Sequence, residues 1–371
     1  MPPTPLSVLD LAPVSAGRTA GDALRATVDL ARRAEDLGYH RYWLAEHHLA
    51  SGVASSAPAV LIGQVAAATS TIRVGSGAVQ VGHRTALSVV EEFGTLDALH
   101  PGRIDLGIGR SGQRRVEAVQ AQSAPVPAPA RVVDGLLIPP PFAYAQVLAS
   151  PRFAQASALL HQPGAVPPPF AGQVADILAL IRGDYRDADG LDAHATPGEG
   201  ADLQVWLLGS SGGESAQLAG TLGLPFAANY HVSPASVLDA VSAYRAAFQP
   251  SPVLAQPYVM VSADVVVAAT DDAARRLAAP YPTWVRSIRT GEGAIPFPRP
   301  EDVAGQPWTD ADQDLVADRV DTQFVGSPET VAALLRTLRD VTGADELLVT
   351  TITHDPADRA TSYDLLAKQW L

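Results

Sequence analysis

The chain has 371 residues, 47% apolar and 18% charged, with a formal net charge of −13. That balance supports a large packed core and argues against disorder or a general affinity for nucleic acid or anionic membrane. Cysteine is absent and Lys368 is the only lysine, which excludes disulfides, thiolate metal sites and cysteine nucleophiles and argues against Schiff-base and pyridoxal-phosphate chemistry.

Leu6–Leu11 reads as a first strand, followed by a Gly/Pro/Ser loop and a helical pattern over Ala20–Leu37 with Gly38 as its stop. A strand over Tyr39–Ala45 ends in Glu46-His47-His48. A helix near Pro58–Thr69, a strand over Ile72–Val79, a helix near Leu87–Leu99, a Pro101-Gly102 turn and a strand over Arg103–Ile108 come next. The pattern then breaks into a Pro/Ala-rich region at 112–200. It resumes with the strand Leu203–Leu208, a helix near Glu214–Leu222, the strand Phe226–Asn229, a helix near Ala235–Phe248 and the strand Tyr258–Val267. A second irregular region, 281–324, precedes a helix over Pro328–Val341, a strand over Glu346–Thr351 and a terminal helix. Strands alternating with helices predict right-handed βαβ units. Eight such units predict one α/β domain over 1–371, a (β/α)8 TIM barrel with insertions after strand 4 and after strand 7. The first insertion is expected to act as a lid over a substrate site. No apolar run of about 18 residues predicts a membrane span. Met1–Pro5 lacks the basic start and apolar stretch of a signal peptide, so the expected location is cytoplasmic.

Four segments could carry chemistry. Glu46-His47-His48 sets one acid and two imidazoles at the carboxyl end of a buried strand, where a neutral imidazole can exchange a proton near neutral pH. The alternative is a pair of structural histidines. No third ligand is evident, so no metal site is expected. Arg110 closes Gly107-Ile108-Gly109-Arg110-Ser111 with a fork of donors suited to phosphate; its plain alternative is a surface ion pair. Leu208-Gly209-Ser210-Ser211-Gly212-Gly213-Glu214-Ser215 runs from strand through a Gly/Ser turn into a helix, the arrangement of an anion site. An ordinary capping box from Ser211 to Glu214 is the competing reading. Small residues in Val74-Gly75-Ser76-Gly77-Ala78 leave room for a flat ligand or for tight barrel packing.

Taken in order, Trp43–His48, Arg73–Gly77, Glu92–Arg110, Val205–Gly209, Gly223–Pro225 and Val325–Thr330 resemble the bacterial luciferase-like family of flavin-dependent monooxygenases. The resemblance implies a barrel binding FMN at its carboxyl-terminal mouth. FMN would arrive reduced from a separate flavin reductase and react with O2 through a C4a-peroxyflavin to oxidise a small organic substrate. It implies that Arg110, Gly209, Ser210, Ser211, Gly212 and Ser215 hold the FMN phosphate. His47 matches the histidine linked to proton transfer. Gly77 and Ala78 fall where luciferases carry a cis peptide beside the flavin ring, Tyr230 falls near an aromatic position of the flavin pocket, and Asp10 ends strand one within reach of the ring. The family also implies a homodimer formed through helices Pro58–Thr69 and Leu87–Leu99. Gly109 replaces the reactive cysteine of luciferase, and Gln80-Val81-Gly82-His83-Arg84 replaces the usual Leu-Pro-Asn-His. An F420-dependent oxidoreductase and a non-catalytic flavin-binding protein are the alternatives.

Overall fold

The computed structural model describes residues 4–110, 128–143, 147 and 150–371. Eight parallel strands close into a barrel: β1 (Leu6–Asp10), β2 (Arg41–Leu44), β3 (Arg73–Ser76), β4 (Ile104–Gly109), β5 (Gln204–Gly209), β6 (Phe226–Asn229), β7 (Val259–Val267) and β8 (Glu346–Thr350). β8 pairs with both β7 and β1, which closes the ring. The predicted (β/α)8 architecture is the observed one.

Strand alternation divides the core in two. Leu6, Val8, Tyr42, Leu44, Val74, Ile104 and Leu106 face outward into a layer shared with the surrounding helices. Leu9, Trp43, Trp206, Met260 and Leu348 face inward. The Trp43 and Trp206 rings meet edge to face at 5.1 Å and fill the barrel's middle. Gly75 makes room for them: a Cβ there would lie 2.5 Å from the Asp105 backbone oxygen and 3.0 Å from the Trp43 ring nitrogen. At the amino-terminal ends of the strands, Arg41 lies between Glu346 (3.1 Å) and Asp105 (2.8 Å), all three buried.

Helix boundaries arise from local chemistry. Thr19 and Asp22 form a capping box that starts the helix Ala20–Asp36. Gly38 comes just after that helix with φ +84°, a conformation that favours glycine.

The two irregular regions hold more structure than their composition suggests. Within 112–200, a hairpin pairs Arg131–Val133 with Leu136–Ile138, and helices span Pro151–Leu160 and Phe170–Arg182. The second helix buries Phe170, Val174, Ile177 and Leu180 in the outer core, packed on helix Ala86–Leu99. It occupies the place of the fourth barrel helix, so 112–200 is not one inserted piece. Residues 111–127, 144–146 and 148–149 lie outside the described residues. Region 281–324 contains helices Tyr281–Arg289, Pro300–Val303 and Asp310–Val320. A further helix, Asp271–Ala278, precedes it. Strand Phe324–Gly326 pairs with the upper half of β7.

Candidate active site

A cavity of about 790 Å³ opens where the strands end at their carboxyl termini. Its walls come from the strand ends, from helix Pro151–Leu160 and from the region after β7.

On one rim, β4 and β5 are paired neighbours. Arg110, just after β4, and Gly209, Ser210, Ser211, Gly213, Glu214 and Ser215, at the end of β5 and beyond it, all line the cavity. The competing reading, a capping box from Ser211 to Glu214, is not what forms. Gly213 is the N-cap of helix Glu214–Thr221 and supplies no side-chain bond. The first amides of that helix therefore meet no acceptor from a cap side chain, which leaves them suited to an anion. Arg110 pairs with Glu214 and sits 5.8 Å over the Phe170 ring. The ion-pair alternative and the anion site thus coexist: the guanidinium is on the cavity wall, with one half-exposed carboxylate beside it. Gly212 is set back, its α-carbon packed toward Asp239 and Ala243.

The opposite wall begins at β2. His47 is exposed in the cavity, and its amide is held by Ser55 O at 2.8 Å. Glu46 is buried beneath it. Its Oε1 lies 2.8 Å from His48 Nε2, 3.0 Å from His83 Nε2 and 3.4 Å from Arg84 Nη2, and its Oε2 accepts from the Gln80 amide at 2.9 Å. Burial works against the charge, but bonds from His48, His83 and Gln80 and the charge of Arg84 outweigh it and hold this carboxyl at about 2. Glu46, His48 and His83 bring three ligand-type atoms within 4.8 Å, a grouping whose third member, His83, the sequence did not offer. Arg84 and the Gln80 amide already compensate the carboxylate. Gly77 and Ala78 line the cavity beside this cluster, and the peptide between them is cis.

Two predicted residues are elsewhere. Asp10 does not line the cavity. Its chain neighbours Leu9 and Leu11 do, and alternation turns Asp10 outward. There it accepts from Arg359 (2.6 Å), the Ala12 amide (2.7 Å) and Tyr42. Burial opposes its charge; these partners, led by Arg359, hold its carboxyl below the usual range. Tyr230 is likewise buried outside the cavity, its hydroxyl donating to Leu137 O at 2.7 Å and its ring 5.8 Å from Phe324. Burial pushes its phenol upward.

The next residue, His231, faces the cavity instead, with Asn229, Ser262, Asp264, Thr350, Trp284 and Arg319 nearby on the same side. His231 Nδ1 lies 2.6 Å from Ser262 Oγ, and burial pushes the ring down to about 4. Asp264 is matched by Arg319 at 3.1 Å and by Tyr281. Asn229 Oδ1, Thr350 Oγ1 and Trp284 Nε1 are buried without a partner among the described residues. Sequence reasoning passed over this wall because Tyr230 stood out as the aromatic residue. The available signal was that the chain leaves β6 at Asn229, after which strict alternation no longer assigns faces.

A sequence model of the luciferase-like monooxygenase family matches residues 4–134 and 179–346. An uncharacterized protein of Bacillus subtilis, YvbT, is 40% identical over 370 residues, covering 99% of this chain and 97% of the relative. A luciferase-like monooxygenase of Escherichia coli K12 is 36% identical over 364 residues, covering 97% and 95%. Among solved structures, apo-MsnO8 shares 33% identity and a TM-score of 0.78 over 99% of this chain and 98% of that one. Two more distant structures share the fold. One is the oxygenating constituent of 3,6-diketocamphane monooxygenase from Pseudomonas putida in complex with FMN (21% identity, TM-score 0.64, 99% and 98% covered). The other is an F420-dependent secondary alcohol dehydrogenase with an F420-acetone adduct (13%, TM-score 0.59, 99% and 98% covered).

Proposed function

The chain belongs to the luciferase-like monooxygenase family, and from that premise we propose that it is a two-component, FMN-dependent enzyme. It would take reduced FMN from a separate flavin reductase and use O2 to oxidise a small organic substrate. The carrying observation is the convergence of Arg110 and the uncapped helix start at Glu214 on one rim of a cavity whose far wall carries His47.

The donor set fits FMN. A terminal phosphate asks for a guanidinium, helix amides and hydroxyls, which Arg110, residues 213–215 and Ser210, Ser211 and Ser215 offer. The cavity extends from that rim to Gly77 and Ala78, which leave space for a flat ring. When bound, reduced FMN supplies the electrons that activate O2 for transfer of one oxygen atom to the substrate. The chain's own part is to anchor, orient and shield. Arg110 fixes the anionic tail. His47 holds or releases a proton at its ring nitrogen beside the reacting centre. Val147 and residues 150–160, which line the cavity through Val147, Ser150, Arg152, Phe153, Ala156 and Leu160, form the lid that excludes water.

Titrating the purified protein with FMN, reduced FMN and F420 while recording oxygen uptake tests this reading. Tight FMN binding with reductant-dependent oxygen consumption is the expected result. Binding of F420 alone, without oxygen consumption, would assign hydride transfer instead. Flavin binding with no turnover under any reductant and substrate would leave a storage protein. Exposed Val60, Leu87 and Leu99 on helices Pro58–Ala68 and Ala86–Leu99 support the homodimer; sedimentation showing only monomer at micromolar concentration would refute it. Among the described residues no helix is long and apolar enough to cross a membrane, in keeping with the proposed cytoplasmic location.

A further inference from the structure

β2 and β6 stand opposite each other in the ring of eight strands, with β4 and β5 on the arc between them. A ligand anchored after β4 and β5 and reaching across the mouth therefore passes between the segment leaving β2 and the segment leaving β6. His47 lies on the first of these. His231 lies on the second, half-buried and on the cavity wall. If the flat ring rests against Gly77, Ala78 and His47, its other face looks toward His231.

The hydrogen bonds of His231 define what it presents. Ser262 Oγ is 2.6 Å from Nδ1, whereas the hydroxyl's other contact, Ala228 O, is 3.5 Å away and too long to hold its proton. Ser262 therefore donates to Nδ1, and the single ring hydrogen of the neutral imidazole sits on Nε2. Asp264, Arg319 and His47 are the charged or titratable groups acting on this ring; burial, joined by Arg319 and His47, outweighs Asp264 and keeps it neutral. Asp264 and Arg319 compensate each other. Besides the polar Asn229 and Thr350 and an Arg289 paired with Asp318 at 2.6 Å, the lining here is apolar: Trp284, Ile288 and Leu348. The wall thus presents neutral donors, the His231 Nε2–H together with the Trp284 Nε1–H and the Thr350 hydroxyl, and charges that are already paired. An ionised carboxylate placed there would lose its water without gaining a counter-charge.

From this we infer that His231, oriented by Ser262, is the substrate-binding residue of the β6–β8 wall, taking an uncharged organic substrate by an acceptor oxygen of carbonyl type. The inference rests on the flavin reading for the face on which the substrate lies.

Calorimetric titration of the FMN-loaded protein with 2-octanone and with octanoate tests it, FMN affinity being measured separately on every variant. The ketone is expected to bind more tightly than the carboxylate. His231→Phe should weaken ketone binding about tenfold, the loss of one hydrogen bond. His231→Gln, which keeps an amide donor, should restore most of it. Ser262→Ala should give a smaller loss, and FMN affinity should stay the same in all three. Tighter binding of octanoate, abolished by Arg152→Ala, would overturn the inference by placing the polar end on the lid's exposed guanidinium. Failure of 2-octanone to bind, or an unchanged affinity in His231→Phe, would also overturn it. If FMN does not bind, the flavin reading fails by itself, and the dependence of ketone affinity on His231 in the flavin-free protein still decides this inference.

Discussion

The two ends of the barrel use the same side chains for opposite purposes. At the amino-terminal end, Arg41 bonds Glu346 and Asp105, Arg73 bonds Asp105 at 2.7 Å, Tyr258 bonds Glu346 at 3.0 Å and Trp43 bonds Asp105 at 2.9 Å. The carboxylates are fully buried, and each is shared among several donors. At the carboxyl-terminal end several of the polar groups face the cavity. Arg110 faces a half-exposed Glu214, His47 is exposed, and His231 lines the cavity. A charge saturated by partners holds strands together, whereas a charge with remaining capacity can bind. What separates the two ends here is whether a polar group reaches the cavity, not residue type.

The largest expected effects set the two ends apart. Arg41→Ala leaves Glu346 buried without its cation and Asp105 with Arg73 alone, and breaking such a buried pair costs about 3–5 kcal/mol. Urea unfolding should show that loss; an unchanged midpoint would mean the amino-terminal network does not hold the barrel. His47→Ala is the counterpart at the open end. It should leave stability and FMN affinity intact while lowering turnover about 10²- to 10⁴-fold, the usual range for a lost proton-transfer group. Turnover within a factor of about two of the wild type would remove His47 from the chemistry.

The strand order was legible in the sequence because it derives from periodicity and from the ends of apolar runs, whereas the Arg41 network joins residues 64 and 305 positions apart. Leu6, Tyr42, Val74 and Ile104 are buried in strands that the apolar runs predict, and Gly38 follows its helix as expected. The strand, Gly/Ser turn and helix start after β5 were also legible, since they are local. Asp10 and Tyr230 were misplaced because their facing depends on a single step of pleat at a strand end. Arg359, which claims Asp10, lies 349 positions away in the chain. Helix Phe170–Arg182 was missed because Pro and Ala around it mask a helical face that only Phe170, Val174, Ile177 and Leu180 reveal. His83 joins Glu46 across 37 positions, and no local pattern announces such a pairing.

Acid should probe the open end in two separable steps. Glu46 has its folded pKa lowered from 4.5 to about 2. Its contribution is fully present above pH 4.5 and is lost as pH falls toward 2, amounting to about 3 kcal/mol by linkage. His231 is lowered from 6.5 to about 4. Below pH 6.5 the unfolded chain takes up a proton that the folded ring refuses, so stability falls between pH 6.5 and pH 4. Glu46→Gln should flatten the lower segment of a stability–pH curve, and His231→Phe the upper one. Parallel curves for all three proteins would mean that neither group is perturbed by its surroundings.

The smallest effects are the sharpest, because they run in opposite directions across one ion pair. Arg110→Ala should weaken FMN binding by about 1.5–3 kcal/mol, the value of a hydrogen bond to a charged group. Glu214→Gln should tighten it up to about fivefold, since an exposed pair is worth at most about 1 kcal/mol and its removal frees the guanidinium while taking a negative charge from the phosphate's side. The gain should shrink as salt is raised, because the half-exposed carboxylate is screened. Were Arg110 a structural partner of Glu214, as Arg41 is of Glu346, both substitutions would lower stability together and FMN affinity would track neither. Equilibrium titrations of the two variants at low and high salt therefore decide whether this pair belongs with the saturated charges at one end of the barrel or with the binding charges at the other.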